Sequence, residues 1–437
     1  MSDEQKFPPD IPEELDIDPE NRDKRETFIP LRYAELTDRL SRKFFDSGTD
    51  IALFNELCGC LQSVFHVEHL TALNTVEATY RPLDPDREMI EVREYSDDEK
   101  NDLTSKIFDH LNGLLIAAHY QRLTQEDLQR MVNLHSLQAV KLEVDFEVFD
   151  HLEIFARGYR MTEVKRRRWQ KFFREETIEI PEFHRLVLAF RLKPSKKIAS
   201  TMTDDVVYLK IFKDIPESDL EILLPGTKVK LSMLDRGKIL LPTITGAAPK
   251  LYQLYKFIRG LVLVGAAAAV VSQWGAYLIV AAIIGYFIKS FLTYFRTKDK
   301  YEFALTRNLY LKNLDNNSGV LYRVLNEAQE QEMCETILGY VILLKFADND
   351  GLSDTELDEQ AETFLRESID LEVNFDLHDA LGKLARLGLA VVDSRGHWKA
   401  IPMTTAPESL TENWARLFNT RARQQEPDSL EENLFTT

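Results

Sequence analysis

The sequence Gly260–Ile288, GLVLVGAAAAVVSQWGAYLIVAAIIGYFI, decides the fold that we predict. It contains 29 residues and no Asp, Glu, Lys, Arg or His. An uncharged apolar run of this length is typical of a membrane segment, because it is longer than most helices in soluble cores. The run therefore predicts an integral membrane protein. It carries no internal charge of the kind that marks an ion or proton pathway.

Two geometries fit this run. A single helix would be about 43 Å long, whereas the hydrocarbon core of a bilayer is about 30 Å thick. A hairpin that turns at 272–275 has two legs, 251–271 and 275–295, and each leg matches that thickness. Basic residues flank both outer ends, so the positive-inside rule favours the hairpin over a single span or a buried soluble hairpin. The flanking basic residues are Lys250, Lys256, Arg259, Lys289, Arg296, Lys298 and Lys300.

Small residues recur at i, i+4 spacing on both legs. Such spacing lets two helices approach closely, within the hairpin or between copies of the chain, so it predicts a homo-oligomer face. The alternative is that alanine and glycine are simply common in membrane helices. The residues concerned are Gly265, Ala269, Ala281 and Gly285.

The overall composition excludes one class of partner. The chain has 437 residues, a formal net charge of −18 and a hydrophobic content of 44%, which is enough for real cores. Nucleic-acid binding needs a basic surface that neutralises phosphates, so we predict no nucleic-acid partner. Three cysteines make no disulfide framework and indicate a reducing compartment.

The residues before the apolar run predict a disordered tail and two domains. Residues 1–24 are acidic and rich in proline, which is typical of disorder. Apolar residues then recur at helical spacing, with a capping box at Ser96 and Glu99, so 25–135 is predicted as a helical N-terminal domain. Alternation between apolar and polar residues begins near Val140 and runs to Val148. It predicts a β-rich α+β domain over 136–235.

The residues after the run predict a helical region over 301–403 that is winged-helix-like from about 333. Three helices, one with a capping box at Ser353 and Glu356, precede a short hairpin. Twelve acidic residues lie between positions 348 and 379, so DNA would be repelled and protein contact is the predicted use of this domain. The tail 404–437 is predicted as polar. The fold class is thus an α+β membrane protein.

Two polar stretches are candidate surface or partner sites. One is FKDIPESDLEILLPG before the apolar run, and the other is LDNNSG after it. The alternative interpretation is structural: a proline-initiated short helix and asparagine turns. The candidate residues are Lys213, Asp214, Pro216, Asp219, Asn316, Asn317 and Gly319.

No motif predicts catalysis, a cofactor or a metal. LDNNSG lacks the ligand register of a calcium loop, and Cys58, Cys60, His66 and His69 lack a usual zinc spacing. The chain has no phosphate-binding loop, no G-x-S-x-G elbow and no H-E-x-x-H helix. We therefore predict no catalytic, cofactor-binding or metal-ligating residues.

Three separated blocks, RETFIPLRYAEL, LKIFKDIPESDLEILLPGTKVKLSMLDRGKILLP and YLKNLDNNSGVLYRVLNEAQEQE, resemble the transmembrane protein 143-like family. The resemblance spans roughly Arg25 to Trp398 and implies two membrane segments but no activity, because that family is a domain of unknown function. The animal representative is mitochondrial. This N-terminus does not look like a transit peptide or a secretory signal, so we expect a bacterial cytoplasmic membrane with both termini in the cytoplasm. An organellar inner membrane is the alternative.

These observations predict a membrane-anchored, non-enzymatic scaffold that binds an unknown protein partner. Its soluble parts would share the cytoplasmic face of a lipid bilayer. A membrane-surface enzyme that acts on lipid or protein is one alternative, and a small oligomeric pore is another.

Overall fold

The structure, a computed structural model, describes most of the chain outside the apolar run. The described residues are 25–87, 93–124, 127, 140–143, 145–167, 175–194, 203, 205–225, 228–231, 256, 285, 288, 309–348, 350–412 and 414–415.

An antiparallel sheet of five strands forms the centre of the described chain. Its strand order is β1 (Gln121–Arg122), β3 (Phe149–Arg167), β4 (Glu175–Leu192), β5 (Val207–Pro216) and β7 (Asn313–Asn316). Strands β3 and β4 pair over their whole length, so they form the longest ladder of the sheet. A separate pair joins β2 (Val140–Glu143) to β6 (Lys228–Leu231).

Each face of the sheet contributes to a different core because side chains alternate along the strands. One face packs Val187, Leu209 and Ile211 against α3 (Asp97–Ala117) and against Val320 and Val324 of a later helix. The opposite face packs Leu186 and Phe190 with the short helix α4 (Leu220–Leu223).

Helix α5 (Ser318–Phe346) is shared by two cores. Its first half, including Val320 and Val324, lies on the sheet. Its second half, including Ile337 and Val341, lies in a third core with the N-terminal helices α1 (Tyr33–Phe44) and α2 (Gly48–Tyr80).

The C-terminal elements complete this third core. Helix α6 (Asp354–Ile369) and helix α7 (Leu377–Arg386) pack on α5, and the hairpin β8 (Ala390–Val392) and β9 (Trp398–Ala400) follows. Along the chain, α5, α6 and α7 precede this hairpin. The predicted capping boxes at Ser96 and Ser353 are also both present, because each side chain accepts from the backbone of a glutamate that bonds back.

No helix among the described residues combines the length and apolar composition that a membrane crossing needs. Helices α2 and α5 are long, at 33 and 29 residues, but polar side chains recur along both. The prediction of an α+β membrane protein in a bacterial cytoplasmic or organellar inner membrane is therefore wrong for this part of the chain, which has a mixed helix-and-sheet fold. The predicted legs 251–271 and 275–295 lie outside the described residues, except for Lys256, Gly285 and Ile288.

The predicted strand over Val140–Val148 is interrupted. Strand β2 ends at Glu143, and Phe146–Val148 form a 3₁₀ turn before β3 begins. The side chain of Asp145 accepts from the backbone N–H of Glu147, a local bond that competes with strand pairing. Alternation alone could not detect this turn, since both neighbours are strands.

Two glycines test the packing of the helices. A Cβ on Gly339 of α5 would lie 3.3 Å from Leu384 Cδ1 of α7, whereas Gly113 of α3 has open space. We expect Gly339→Leu to lower the free energy of unfolding by about 1–3 kcal/mol through overpacking. We expect Gly113→Ala to raise it by about 0.4–1 kcal/mol, because alanine has less backbone freedom to lose.

Urea unfolding of both variants beside the unmodified chain measures these changes. A Gly339→Leu protein as stable as the unmodified one would contradict the close contact of α5 with α7.

Candidate functional site

The structure divides the predicted site residues between the two ends of the β5–β7 pair. Asn316 pairs with Lys210 at one end, and Asn313 pairs with Phe212 toward the other. Asn316, Asn317 and Gly319 therefore lie at the start of α5. Residues Lys213, Asp214, Pro216 and Asp219 follow at the opposite end of β5.

The end that contains Asp214 is a kink that crosses three strands. Arg157, Arg185 and Lys213 are aligned across β3, β4 and β5, and the next aligned row is Tyr159, Phe183 and Ile215. Between the two rows lie three residues without ladder partners, which we call the kink row: Gly158, His184 and Asp214.

Two of the three residues in the kink row have a left-handed backbone. Gly158 has a φ of 65° and Asp214 a φ of 52°. A Cβ on Gly158 would meet His184 Cβ at 3.0 Å, so glycine is required by both space and conformation. Phe183 and Ile215 accordingly belong to the same core as Leu186, although strict alternation would place them on the other face.

Ion pairs hold Asp214 in this strained conformation. Arg160 Nη2 lies 3.0 Å from Asp214 Oδ1 and 2.8 Å from Glu182 Oε1. Lys312 Nζ donates to the backbone carbonyl of Asp214, and His184 Nδ1 lies 3.6 Å from its carboxylate. These contacts connect β3, β4 and β5 to the residue before β7.

His184 is the titratable residue at the kink with a shifted pKa. Partial burial, and then the charges of Arg185 and Arg160, lower the pKa of His184 below its usual value. The imidazole is therefore neutral near pH 7 and could accept a proton. Arg160, Glu182, Asp214 and His184 contact one another, so this arrangement supports a structural ion cluster.

Arg157 connects the sheet to three other segments. Its guanidinium lies 4.7 Å from the ring centroids of both Phe28 and Tyr120. It donates to the carbonyl of Ala118 at 2.9 Å and pairs with Glu327 of α5 at 2.8 Å. Glu327 thereby offsets the repulsion between Arg157 and its cross-strand neighbour Arg185.

Sequence analysis missed this role of Arg157. A single arginine in the apolar stretch IFARGY of β3 is a weak signal, since its partners come from distant parts of the chain.

Asn317 organises the other end of the β5–β7 pair. It is buried at a φ of 49°, its Oδ1 accepts from the N–H of Leu209 at 3.2 Å, and its N–H donates to the Leu209 carbonyl at 2.7 Å. Its side-chain amide donates to Asp86, and Ser318 Oγ donates to Asp84. An amide and a hydroxyl thus donate to these two carboxylates, which supports the turn interpretation of LDNNSG.

A groove of about 620 Å³ lies between α2 and the first half of α5. Leu70 and Tyr322 are both about half exposed there, at 47% and 49%. Asp315 and Arg323 pair with each other at one end, next to Gly319. The remaining lining is apolar or uncharged except for one histidine: His66, Leu73, Leu325, Asn326 and Gln329.

The four residues considered for zinc are separated in the structure. Cys58 is buried, and burial raises the pKa of its thiol to about 12. His66 lines the groove, whereas His69 pairs with Glu332 of α5 at 3.2 Å. Across the described residues, no three His, Cys, Asp or Glu side chains form a set that could hold a metal ion.

A buried charge cluster joins four elements near the middle of α5. Glu335 is 2% exposed, contacts His119 Nε2 through Oε1, and lies 3.3 Å from Lys383 Nζ of α7. Lys383 also reaches Glu332 at 3.6 Å and pairs with Asp379. The members of this cluster are His69, His119, Glu332, Glu335, Asp379 and Lys383.

Most residues predicted to border or line the membrane cannot be placed. Lys256 and Gly285 are exposed and helical. The other positions lie outside the described residues: Lys250, Arg259, Gly265, Ala269, Ala281, Lys289, Arg296, Lys298 and Lys300.

One family model matches the chain, over residues 183–319, and its description is a protein of unknown function, DUF3754. The matched stretch contains His184, Asp214 and Asn317 but assigns no activity to them. No solved structure matches the chain. The resemblance to the transmembrane protein 143-like family is not tested by this match and stays a prediction.

Substitutions at Asn317 test how that turn is held. We expect Asn317→Ala to lower the free energy of unfolding by about 2–4 kcal/mol, because the buried N–H of Leu209 loses its acceptor and alanine strains the positive φ. Asn317→Gly loses the same side-chain bonds without the strain, so it should be less destabilising by about 1–2 kcal/mol. Equilibrium unfolding in urea measures both. Equal losses for the two variants would contradict a strained turn.

Proposed function

We propose that this protein is a non-enzymatic scaffold that binds a helical segment of a partner protein in the groove between α2 and α5. One observation carries the proposal: the groove exposes Leu70 and Tyr322 above an apolar floor. Large apolar side chains at a concave surface, within a polar rim, are typical of protein-binding sites. Tyrosine is also among the residues that most often dominate binding energy.

The shape of the groove favours a helix as the occupant. Leu70 and Leu73 are three residues apart on α2, as are Tyr322 and Leu325 on α5, so each pair lies on one helix face. Two side-by-side helices leave a channel in which a third can lie lengthwise, with apolar side chains at i and i+3 or i+4.

Charge further restricts the partner. The charged groove residues Asp315 and Arg323 neutralise each other, so the contacting face of the partner should be uncharged. The chain as a whole carries −18, and Glu77 accepts from the Tyr322 hydroxyl at the rim. A partner with basic residues beside its apolar face would be steered toward this surface.

Two matched substitutions test the proposal. A photo-crosslinking residue at position 66 in the full chain should capture one protein in stoichiometric amount from the native cells, through an amphipathic helical segment. Leu70→Glu should abolish that capture, because a carboxylate would be buried against apolar side chains. Val391→Glu, which alters an equally exposed apolar residue on the β8–β9 hairpin, should leave it intact.

A synthetic peptide of the captured segment provides the quantitative test. Its affinity should fall at least about tenfold for Tyr322→Ala, the size expected for a central aromatic contact. Capture that survives Leu70→Glu, or a chain that is always recovered alone, would reject the groove as the binding site.

A further inference from the structure

The interior part of the charge cluster requires a proton on His119 to be electrically neutral. Its carboxylates are Glu332 and Glu335, and its permanent cation is Lys383. The third carboxylate, Asp379, is 43% exposed and reaches solvent. Two negative groups around one lysine leave an excess of one negative charge unless His119 is protonated. Unbalanced charge in a protein interior is costly, so the packing here depends on that proton.

His69 adds a contact at the edge of the cluster. Its Nδ1 lies 2.9 Å from the carbonyl of Phe65, and its Nε2 lies 3.2 Å from a carboxylate oxygen of Glu332. The contact with Glu332 connects α2 to α5.

His119 is held in a strained position. It has a φ of 57°, follows the last turn of α3, and contacts a Glu335 side chain that is almost fully buried. A non-glycine residue with this backbone conformation needs compensating contacts. The ionic contact with Glu335 provides one such contact. Its loss should therefore loosen the turn at 118–120, between the end of α3 and the start of β1.

We propose that the cluster is a proton-dependent latch, in which protonated His119 holds the end of α3 against α5 and α7. When His119 loses its proton, Glu332 and Glu335 of α5 face one lysine, and the contacts between these elements loosen. The latch adds a conformational control to the fold and does not depend on the groove function.

Other charged groups that face the cluster are already paired or act in the same direction. From α7, Asp376 adds negative charge near His119, and Arg386 pairs with Glu68 of α2 at 2.6 Å. From α5, Glu330 lies near the Cys334 thiol and pairs with Arg32 at 2.7 Å. No cation beyond Lys383 compensates the carboxylates among these described contacts.

The pKa shifts agree with this geometry. Burial opposes the charge on His119, but the carboxylate of Glu335 outweighs it and raises the pKa of His119 above its usual value. Burial likewise opposes ionisation of Glu335, but His119 and Lys383 lower its pKa. The raised pKa of His119 gives stability that is complete below about pH 6.5 and is lost as pH rises through the folded-state pKa.

The lowered pKa of Glu335 gives stability that is present above about pH 4.5 and is lost as pH falls through the folded-state pKa.

The latch lies beside the groove. His69 precedes Leu70 on α2, and Glu332 is one turn from Gln329 on α5, so the His69–Glu332 pair joins the two helices that form the groove. Loosening α5 at Glu332 and Glu335 would therefore act on one wall of the groove. A failed groove experiment would nevertheless leave the latch untouched, because the latch is measured on the chain alone.

Hydrogen exchange of the full chain at about pH 6 and about pH 8.5 tests the latch. Protection factors over 117–120 and 377–386 should fall at the higher pH, by up to about tenfold per pH unit for each proton released. His119→Gln cannot be protonated, so its protection should already be low at the lower pH and should change little. His110→Gln, at a partly exposed histidine of the same helix, should behave like the unmodified chain.

Two results would overturn the latch. One is an unmodified chain whose protection at these segments changes no more than elsewhere between the two pH values. The other is a His119→Gln protein with the full pH dependence. If His119→Gln does not fold, an NMR titration of His119 in the unmodified chain replaces it, and its pKa should lie above the ordinary histidine value. A measured pKa at or below that value would overturn the latch as well.

Discussion

The ionised Glu335 in the interior is the constraint on which much of the packing depends. A buried carboxylate is stable only with cations and hydrogen bonds around it, and these come from different parts of the chain. Lys383 brings α7 to α5, and His119 brings the end of α3 to the same point. Removing one partner of such a pair typically costs about 3–5 kcal/mol, so the cluster specifies one arrangement of these helices.

Helix α5 connects this charge cluster to both ends of the described fold. One end of the helix lies on the sheet, where Glu327 neutralises Arg157 and Arg185, and the other end lies among the N-terminal and C-terminal helices. Each core alone would leave half of the helix exposed. The sheet and the C-terminal hairpin elements are therefore coupled through a single rigid element, although they are distant in sequence.

The kink row has a related role in the sheet. At Gly158, His184 and Asp214 the alternation shifts by one residue, which moves Phe183 and Ile215 onto the face of the smaller core. The apolar face of the sheet beneath α5 ends at this row. Beyond it the same face carries charged residues, among which Arg160 and Glu182 pair. The charged residues there are satisfied by one another.

The amino-acid sequence by itself determined the local structure. Serine and glutamate three residues apart specified both capping boxes, and the apolar spacing specified the C-terminal order of helices and hairpin. It also singled out Asp214 and Asn317 as candidate surface residues, and the structure shows that both have a positive φ, which aspartate and asparagine tolerate. These features follow from interactions within a few residues of each other, so pattern reveals them.

Tertiary structure decided which distant residues meet. Glu335, Lys383 and His119 each look like ordinary charged helix or loop residues, and nothing in their spacing predicts a buried cluster. Arg157 gave no signal because Phe28, Tyr120 and Glu327 lie far away along the chain. The apolar run, whose composition predicted a membrane protein, lies almost wholly outside the described residues. The helices that the structure does describe bury their apolar faces against a sheet and against one another. The spacing of apolar residues along a helix shows which face must be buried. Which other element covers that face is determined only by the packed fold.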